Sequence, residues 1–341
     1  MGLDVTIGIP VFRSEAYISR ALESALAQTY PSIEFLIVDD CGDDGSMDVV
    51  ESLRQSHPRG HEIRVISHSK NEGVSVSRNQ IIDEARGDYL YFMDSDDEIA
   101  ENTIDLLMQQ VRKYEAEVVF GSYEKIELSG EKTIWQYPML QLLGADQLAS
   151  FAYRKYGGIQ ASACNCLIKI SILRNHHHRF IPASYWEDMA FMYDLVPIVS
   201  RAVLIPDITY FYYCHENSLS HYQERSTISR DEIWNNVLTV NHLKDTSLLL
   251  YNKVYFPLRC FNIVLTDFYM ACHILKRKGT IVPEVSEADI KSMMRHPAEL
   301  RQICCFPQAR MKNLAFYFLG KLPASLCVTV IWCIGKIKKL V

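Results

Sequence analysis

Short apolar, β-rich runs alternate with helix-length amphipathic stretches along the first third of this chain. Val5 to Ile9 is the first such run, and Pro10 ends it. Glu15 to Gln28 is predicted to be a helix capped by Ser14, because Ile18, Leu22, Ala25 and Leu26 share one face. Pro31 blocks its continuation. Phe35 to Val38 is a second apolar strand, and Ser46 opens a helix to about Gln55. Ile63 to Ile66 is a third strand, followed by Gly73 and a helix to about Ala85. Tyr89 to Met93 is a fourth. A helix from Asn102 to about Tyr114 and a strand over Val118–Phe120 complete the series. Strands joined by helices of about ten residues imply an α/β fold with a parallel sheet and helices on both faces.

Ligands of such sheets bind beyond the carboxyl ends of the strands. Asp39 and Asp40 follow the second strand. Lys70 and Asn71 follow the third. The fourth runs Tyr91-Phe92-Met93-Asp94-Ser95-Asp96-Asp97, an apolar run ending in three carboxylates within four residues. Carboxylates this close repel one another unless a cation sits among them, and hard divalent cations prefer oxygen ligands. The cluster therefore points to Mg²⁺ or Mn²⁺ with a bound phosphate. The competing reading is a set of solvated acids ahead of the helix at Asn102, where negative charge suits the dipole.

Hydrophobic residues make up 48% and charged residues 22%, a globular balance that excludes disorder. A net charge of −6 leaves no broad basic face, so nucleic acid is excluded as a partner. Ten scattered cysteines with no secretory signal read as reduced, cytosolic thiols. Cys164-Asn165-Cys166 lacks a second pair at zinc spacing. Three consecutive histidines, His176 to His178, cannot all face one ion from a helix and read as a solvated loop.

Past about residue 125 the alternation fades. Leu148 to Tyr156 is predicted helical and Leu167 to Leu173 mixed. Trp186-Glu187-Asp188 precedes an apolar periodic stretch, Met189 to Val199. Val203–Ile205 and Thr209–Tyr213 read as strands. From about Thr227 the pattern is helical, and Pro257 implies a kinked or split helix within Leu248–Lys276. A composition shift divides residues 1–220 from a helical C-terminal region, 221–341. The tail, 314–341, alternates apolar runs with Lys321, Lys336, Lys338 and Lys339. No run approaches the eighteen or so apolar residues of a spanning helix. Two readings stay open: a helix lying in a membrane interface, or a helix packed on the domain.

The ordered motifs now bear on family. Val5-Thr6-Ile7-Gly8-Ile9-Pro10-Val11-Phe12, Gln28-Thr29-Tyr30-Pro31, Ile37-Val38-Asp39-Asp40, Asn71-Glu72-Gly73-Val74-Ser75-Val76-Ser77-Arg78-Asn79 and Asp94-Ser95-Asp96-Asp97 resemble the family 2 glycosyltransferases with the inverting GT-A fold. Trp186-Glu187-Asp188-Met189-Ala190-Phe191 is similar to the family's acidic motif. The resemblance covers roughly residues 3 to 220. It implies a GT-A type mostly parallel sheet flanked by helices, and a nucleotide-sugar donor, with UDP as the family's habit. Pro10 and the backbone near Phe12 would line the nucleotide pocket. Asp40 would meet the base, with Asp39 in support; turn chemistry before Gly42 is the alternative. Asn71 stands in the donor loop. Arg78 would contact phosphate or pair with an acid of the cluster. Asp96 would lie near the ribose and the metal, Asp97 on the metal, and Asp94 behind the site or against the sugar. Asp188 would be the base that takes the acceptor proton, with Glu187 as its partner.

Two departures stand out. Cys166 replaces a lysine that many relatives carry. His215, in Tyr213-Cys214-His215-Glu216-Asn217-Ser218, stands where relatives often carry arginine near the diphosphate, and histidine is charged only when protonated. The implied activity is metal-dependent transfer of a sugar, with inversion, to a glycan or polyprenol-linked acceptor, in the cytoplasm or peripherally on the inner face of the membrane. Competing readings are a catalytically silent sugar-binding protein and a nucleotidyltransferase. The latter is expected to carry a glycine-rich phosphate loop, which Pro10-Val11-Phe12-Arg13-Ser14 is not.

Overall fold

The computed structural model describes residues 3–215 and 226–341. The first elements in chain order are β1 (Val5–Val11), α1 (Ile18–Leu26), β2 (Ile33–Asp39), α2 (Ser46–Ser56), β3 (Ile63–Ser67), α3 (Val74–Glu84) and β4 (Tyr89–Phe92). Then come β5 (Glu98–Ile99), α4 (Thr103–Tyr114), β6 (Val118–Ile126), β7 (Lys132–Trp135), β8 (Leu140–Leu143), α5 (Gln147–Arg154), β9 (Cys166–Lys169), α6 (Ile170–Asn175), α7 (Glu187–Leu195) and β10 (Arg201–Tyr213). The strands form one sheet in the order β3-β2-β1-β4-β9-β6-β10-β5, with β7 on β6 and β8 on β10.

The first four strands are parallel, with Val11 in register with Asp39 and Asp39 with Ser67. Their carboxyl ends therefore share one edge. β9 then enters antiparallel between β4 and β6, and β10 runs parallel to β6. The carboxyl end of β10 thus reaches the same edge as that of β4. The sheet is mixed beyond β4, because short antiparallel strands join the parallel half. The two strands expected at Val203–Ile205 and Thr209–Tyr213 are one strand of thirteen residues with register shifts after Leu204 and Ile208. Pro206 falls in that interval, where a missing N–H costs no ladder bond.

Helix α1 buries Ile18, Ala21, Leu22, Ala25 and Leu26. A fully buried Leu or Ile contributes about 1.5–3 kcal/mol, so this stripe anchors the helix. Ser14 is not its side-chain cap. Its carbonyl accepts from the Tyr17 and Ile18 N–H groups, and its hydroxyl bonds Ser95 at 2.6 Å.

The chain divides into two compact units. The first holds residues 1–148, 161–182 and 195–218, and the second residues 149–160, 183–194 and 219–341. The second unit contains α8 (Arg230–Ser247), α9 (Phe256–Lys276), α10 (Glu287–Met293), α11 (Leu300–Cys304), α12 (Arg310–Leu319) and α13 (Ala324–Ile337). Ser229 and Glu232 form a capping box that starts α8. Pro257 sits in the first turn of α9, where its absent N–H is no loss, so the Leu248–Lys276 stretch is split rather than kinked. By length and composition α9 could cross a membrane, but 67% of its apolar window is buried in the unit. It is a core helix. Cys327, Ile331 and Gly335 recur every fourth residue and bury one stripe of α13. All ten cysteines are free thiols.

Candidate active site

The rim at the carboxyl edge of β1 to β4 is built by the four loops that follow these strands. The Ser14 N–H donates to the Ser46 hydroxyl at 2.8 Å, and the Ser14 hydroxyl meets Ser95. These bonds tie the loop after β1 to α2 and to the acidic turn after β4. Pro10 lies within β1, opposite Val38. Phe12, just past β1, is 41% exposed, and the Arg13 guanidinium stacks on its ring.

Asp40 joins two loops of the rim. Its carboxylate is buried and accepts from the Glu72 and Gly73 N–H groups, both at 2.8 Å. His68 Nδ1 lies 2.8 Å from the same carboxylate. Gly73 reaches it with φ +92, a left-handed backbone that disfavours any side chain. Asp40 thereby staples the loops after β2 and β3 together. Asp39 is the half-exposed member of the pair, held by the Cys41 N–H at 3.0 Å. Asn71 is exposed on the adjoining loop. His68 was not visible as a site residue in the sequence, since a lone histidine after a strand carries no motif. Burial alone would lower its pKa, but its bonds to Asp40 and Gln80 outweigh burial and raise it.

Arg78 is buried on α3 and donates to Asp94 Oδ1 at 2.8 Å. The ion-pair alternative is thus present in the structure. The Asp94 N–H in turn donates to the Tyr210 hydroxyl at 3.2 Å, and that hydroxyl donates to Asp97 Oδ2 at 2.7 Å. Asp97 Oδ1 accepts from the Tyr213 N–H at 2.9 Å. Asp97, expected on a metal, is 1% exposed with both oxygens engaged inward. It braces the acidic turn against β10. Burial, then Asp96 and Asp94, push its pKa well above the usual carboxylate range.

Asp96 is the open acid of the turn, with 37% of its side chain exposed. Burial of the rest and the nearby Asp94 charge raise its pKa to about 6. Arg20 of α1 was also missed from sequence, being one basic residue on an amphipathic helix. Its guanidinium lies 3.8 Å from the Tyr213 ring centroid, donates to the Asp96 carbonyl at 2.9 Å and pairs with Glu98 at 2.8 Å. His215 follows β10, stacks on Tyr17 with centroids 4.0 Å apart, and lies 3.9 Å from Asp96 Oδ2. Burial lowers its pKa, and the Arg20 charge adds to this against a bond to Asp96 that raises it. Glu216, Asn217 and Ser218 of its motif lie outside the described residues.

Glu187 and Asp188 belong to the second unit and open α7. Trp186 precedes them with φ +59, a sharp turn into the helix. Glu187 is buried and Asp188 half-buried. Two acids in a first turn suit the positive end of a helix.

Among the described residues no three His, Cys, Asp or Glu side chains are grouped to hold a metal by themselves. The donor chemistry still fits a hard cation. Asp96 with Asp94 offers carboxylate oxygens crowded enough to raise a pKa, and Mg²⁺ is commonly held by one or two carboxylates plus substrate phosphates.

Comparison with known proteins decides the family. The model of glycosyl transferase family 2 matches residues 6–176, half of the chain. The chain belongs to glycosyl transferase family 2. It is 27% identical over 235 residues to the glycosyltransferase GlyG of Streptococcus pneumoniae, covering 67% of this chain and 76% of GlyG. It is 26% identical over 223 residues to the succinoglycan biosynthesis protein ExoO of Rhizobium meliloti, spanning 64% of this chain and 62% of ExoO. The solved structure of S. aureus TarS residues 1–349 in complex with UDP-GlcNAc aligns with a TM-score of 0.64 at 17% identity, over 93% of this chain and 90% of that one. That likeness supports a GT-A type fold, with its sheet flanked by helices and a helical C-terminal region.

Proposed function

We propose that this glycosyltransferase moves a sugar, with inversion, from a UDP-sugar to a hydroxyl of a glycan or polyprenol-linked acceptor in polysaccharide synthesis. The observation that carries the reading is the convergence of Asp39, Arg78, Asp94, Asp96 and His215 on one rim of the sheet. TarS was solved with UDP-GlcNAc, which supports a nucleotide-sugar donor here.

In this reading Pro10 and Phe12 flank the nucleotide, and Asp39 rather than Asp40 meets the base. Asn71 lines the same pocket. Arg78 positions Asp94 beside the donor. Asp96 holds Mn²⁺ or Mg²⁺, with Asp97 bracing it from behind. When bound, the cation neutralises charge developing on the diphosphate as the bond to the sugar breaks. His215 contacts the leaving group, and an anion beside it would favour its protonated form. Asp188 takes the proton of the attacking hydroxyl and Glu187 orients it, by their likeness to the family's acidic motif. The apolar, lysine-bearing tail supports a peripheral position on the inner face of a membrane.

The test is Asp188→Asn, assayed with a panel of UDP-sugars and Mn²⁺. Transfer is expected to fall by about 10²–10⁴-fold, the usual worth of a general base. Donor-induced thermal stabilisation is expected to survive. Loss of both together would make Asp188 structural. Release of UDP by the wild type separates an enzyme from a silent sugar binder.

A further inference from the structure

The last forty-two residues, 300–341, carry seven Lys or Arg and no acid, while the whole chain is −6. In the second unit this basic segment borders an open groove of about 560 Å³. Lys291 on α10, Arg295 just beyond it and Lys321 after α12 line the groove. Tyr317 and His296 form its aromatic wall, with centroids 6.2 Å apart, and the Lys321 ammonium lies 5.2 Å from the Tyr317 ring centroid. Among the described residues, no acidic side chain lines it. The Asp245 carboxylate pairs with Arg295 at 2.9 Å, but both are exposed. Such a pair is weak and opens readily.

Apolar side chains on the same helices face solvent. Cys327, Ile331 and Gly335 turn α13 inward, which leaves Leu326, Trp332, Ile334 and Ile337 exposed. Met311 and Phe318 of α12 are exposed as well. Lys336, Lys338 and Lys339 follow at the end of α13. Exposed apolar groups among lysines, with no balancing acid, suit the boundary between headgroups and acyl chains. A basic polymer-binding surface would need the charge without the apolar groups.

We propose that the groove lined by Lys291, Arg295 and Lys321 holds the phosphate headgroup of an anionic phospholipid, while exposed apolar residues of α12 and α13 enter the leaflet beside it. This deepens the peripheral-membrane part of the proposed function and rests on it. The groove supplies anion selectivity and the helices supply apolar contact.

The test is co-sedimentation of the full chain with vesicles. One set is phosphatidylcholine alone, and the other contains about one-third phosphatidylglycerol. The wild type should pellet with the anionic vesicles and release in high salt. Each basic residue near an anionic surface is worth about fivefold in partitioning, so K291Q/R295Q/K321Q should lower binding on the order of 100-fold. Thermal unfolding should match the wild type, since these side chains lie at the surface. Unchanged binding of the triple variant would overturn the groove. If W332S/I337S then abolished binding, the membrane reading would stand without it. Pelleting with neither vesicle would overturn both. Binding to inorganic phosphate or an acidic polysaccharide in place of vesicles would assign the groove to a soluble anion and overturn the lipid.

Discussion

The two units arrange buried charge differently. In the second, Arg259 is fully buried, donates to Asp194 Oδ1 at 2.6 Å and reaches Tyr153, the Tyr193 carbonyl and Ser247. Burial alone would raise the Asp194 pKa, but His242 and Arg259 outweigh it and hold it low. Lys244 and Asp267 form a second buried pair, with Lys244 also donating to the Met293 carbonyl at 2.6 Å. Asp267 is pushed up to about 6 by burial alone, with Lys244 pulling it back down. On the rim of the first unit, three acids share a turn with Arg78 and Arg20, and there the neighbouring acids add to burial in pushing Asp96 and Asp97 upward. Ions matched one to one brace a core. Acids left in excess of their partners are what the proposed cation would answer.

That contrast can be broken by experiment. Asp267→Ala leaves Lys244 buried without its carboxylate and should cost about 3–5 kcal/mol in urea unfolding. A loss well below this would mean that the pair is dispensable to the core. Tyr210→Phe removes a hydroxyl that serves both Asp94 and Asp97. It should cost about 1–3 kcal/mol, the penalty for a buried acceptor left unmade, and weaken Mn²⁺-dependent donor binding.

Asp96→Asn should have the smallest effect on stability, and of opposite sign. The folded pKa of Asp96, about 6, lies above its unfolded value. Its ionisation therefore opposes folding, and this penalty grows as pH rises from about 4 to 6. The variant should melt slightly higher than the wild type at pH 7 and equally at pH 4. In the wild type, Mn²⁺ affinity should fall about tenfold per pH unit below 6, since the cation and the proton compete for one carboxylate. A flat profile from pH 5 to 7 would remove Asp96 as the ligand.

The parallel half of the sheet was legible because β1 to β4 are apolar and separated by amphipathic helices. The acids were legible because an apolar run has no packing reason to end in them. The antiparallel additions were hidden. β7 exposes all four residues and β5 is two residues long, so neither shows a buried face. Neighbouring acids also look alike in sequence: Asp39 and Asp40 differ in which one points at the amides of a distant loop, and Asp96 and Asp97 in which one meets Tyr210. Such choices depend on contacts across 28 to 113 positions, beyond any local pattern. His68, Arg20 and Tyr210 were missed for the same reason.

The Tyr210 hydroxyl has a consequence for synthesis. It lies 113 positions after the carboxylate it holds, and the family match ends at residue 176, before it. Translation completes the acidic turn long before the tyrosine that sets its shape. A nascent chain halted ahead of β10 would carry the acidic turn with its acids unfastened, because the last strand of the large sheet is the one that holds them.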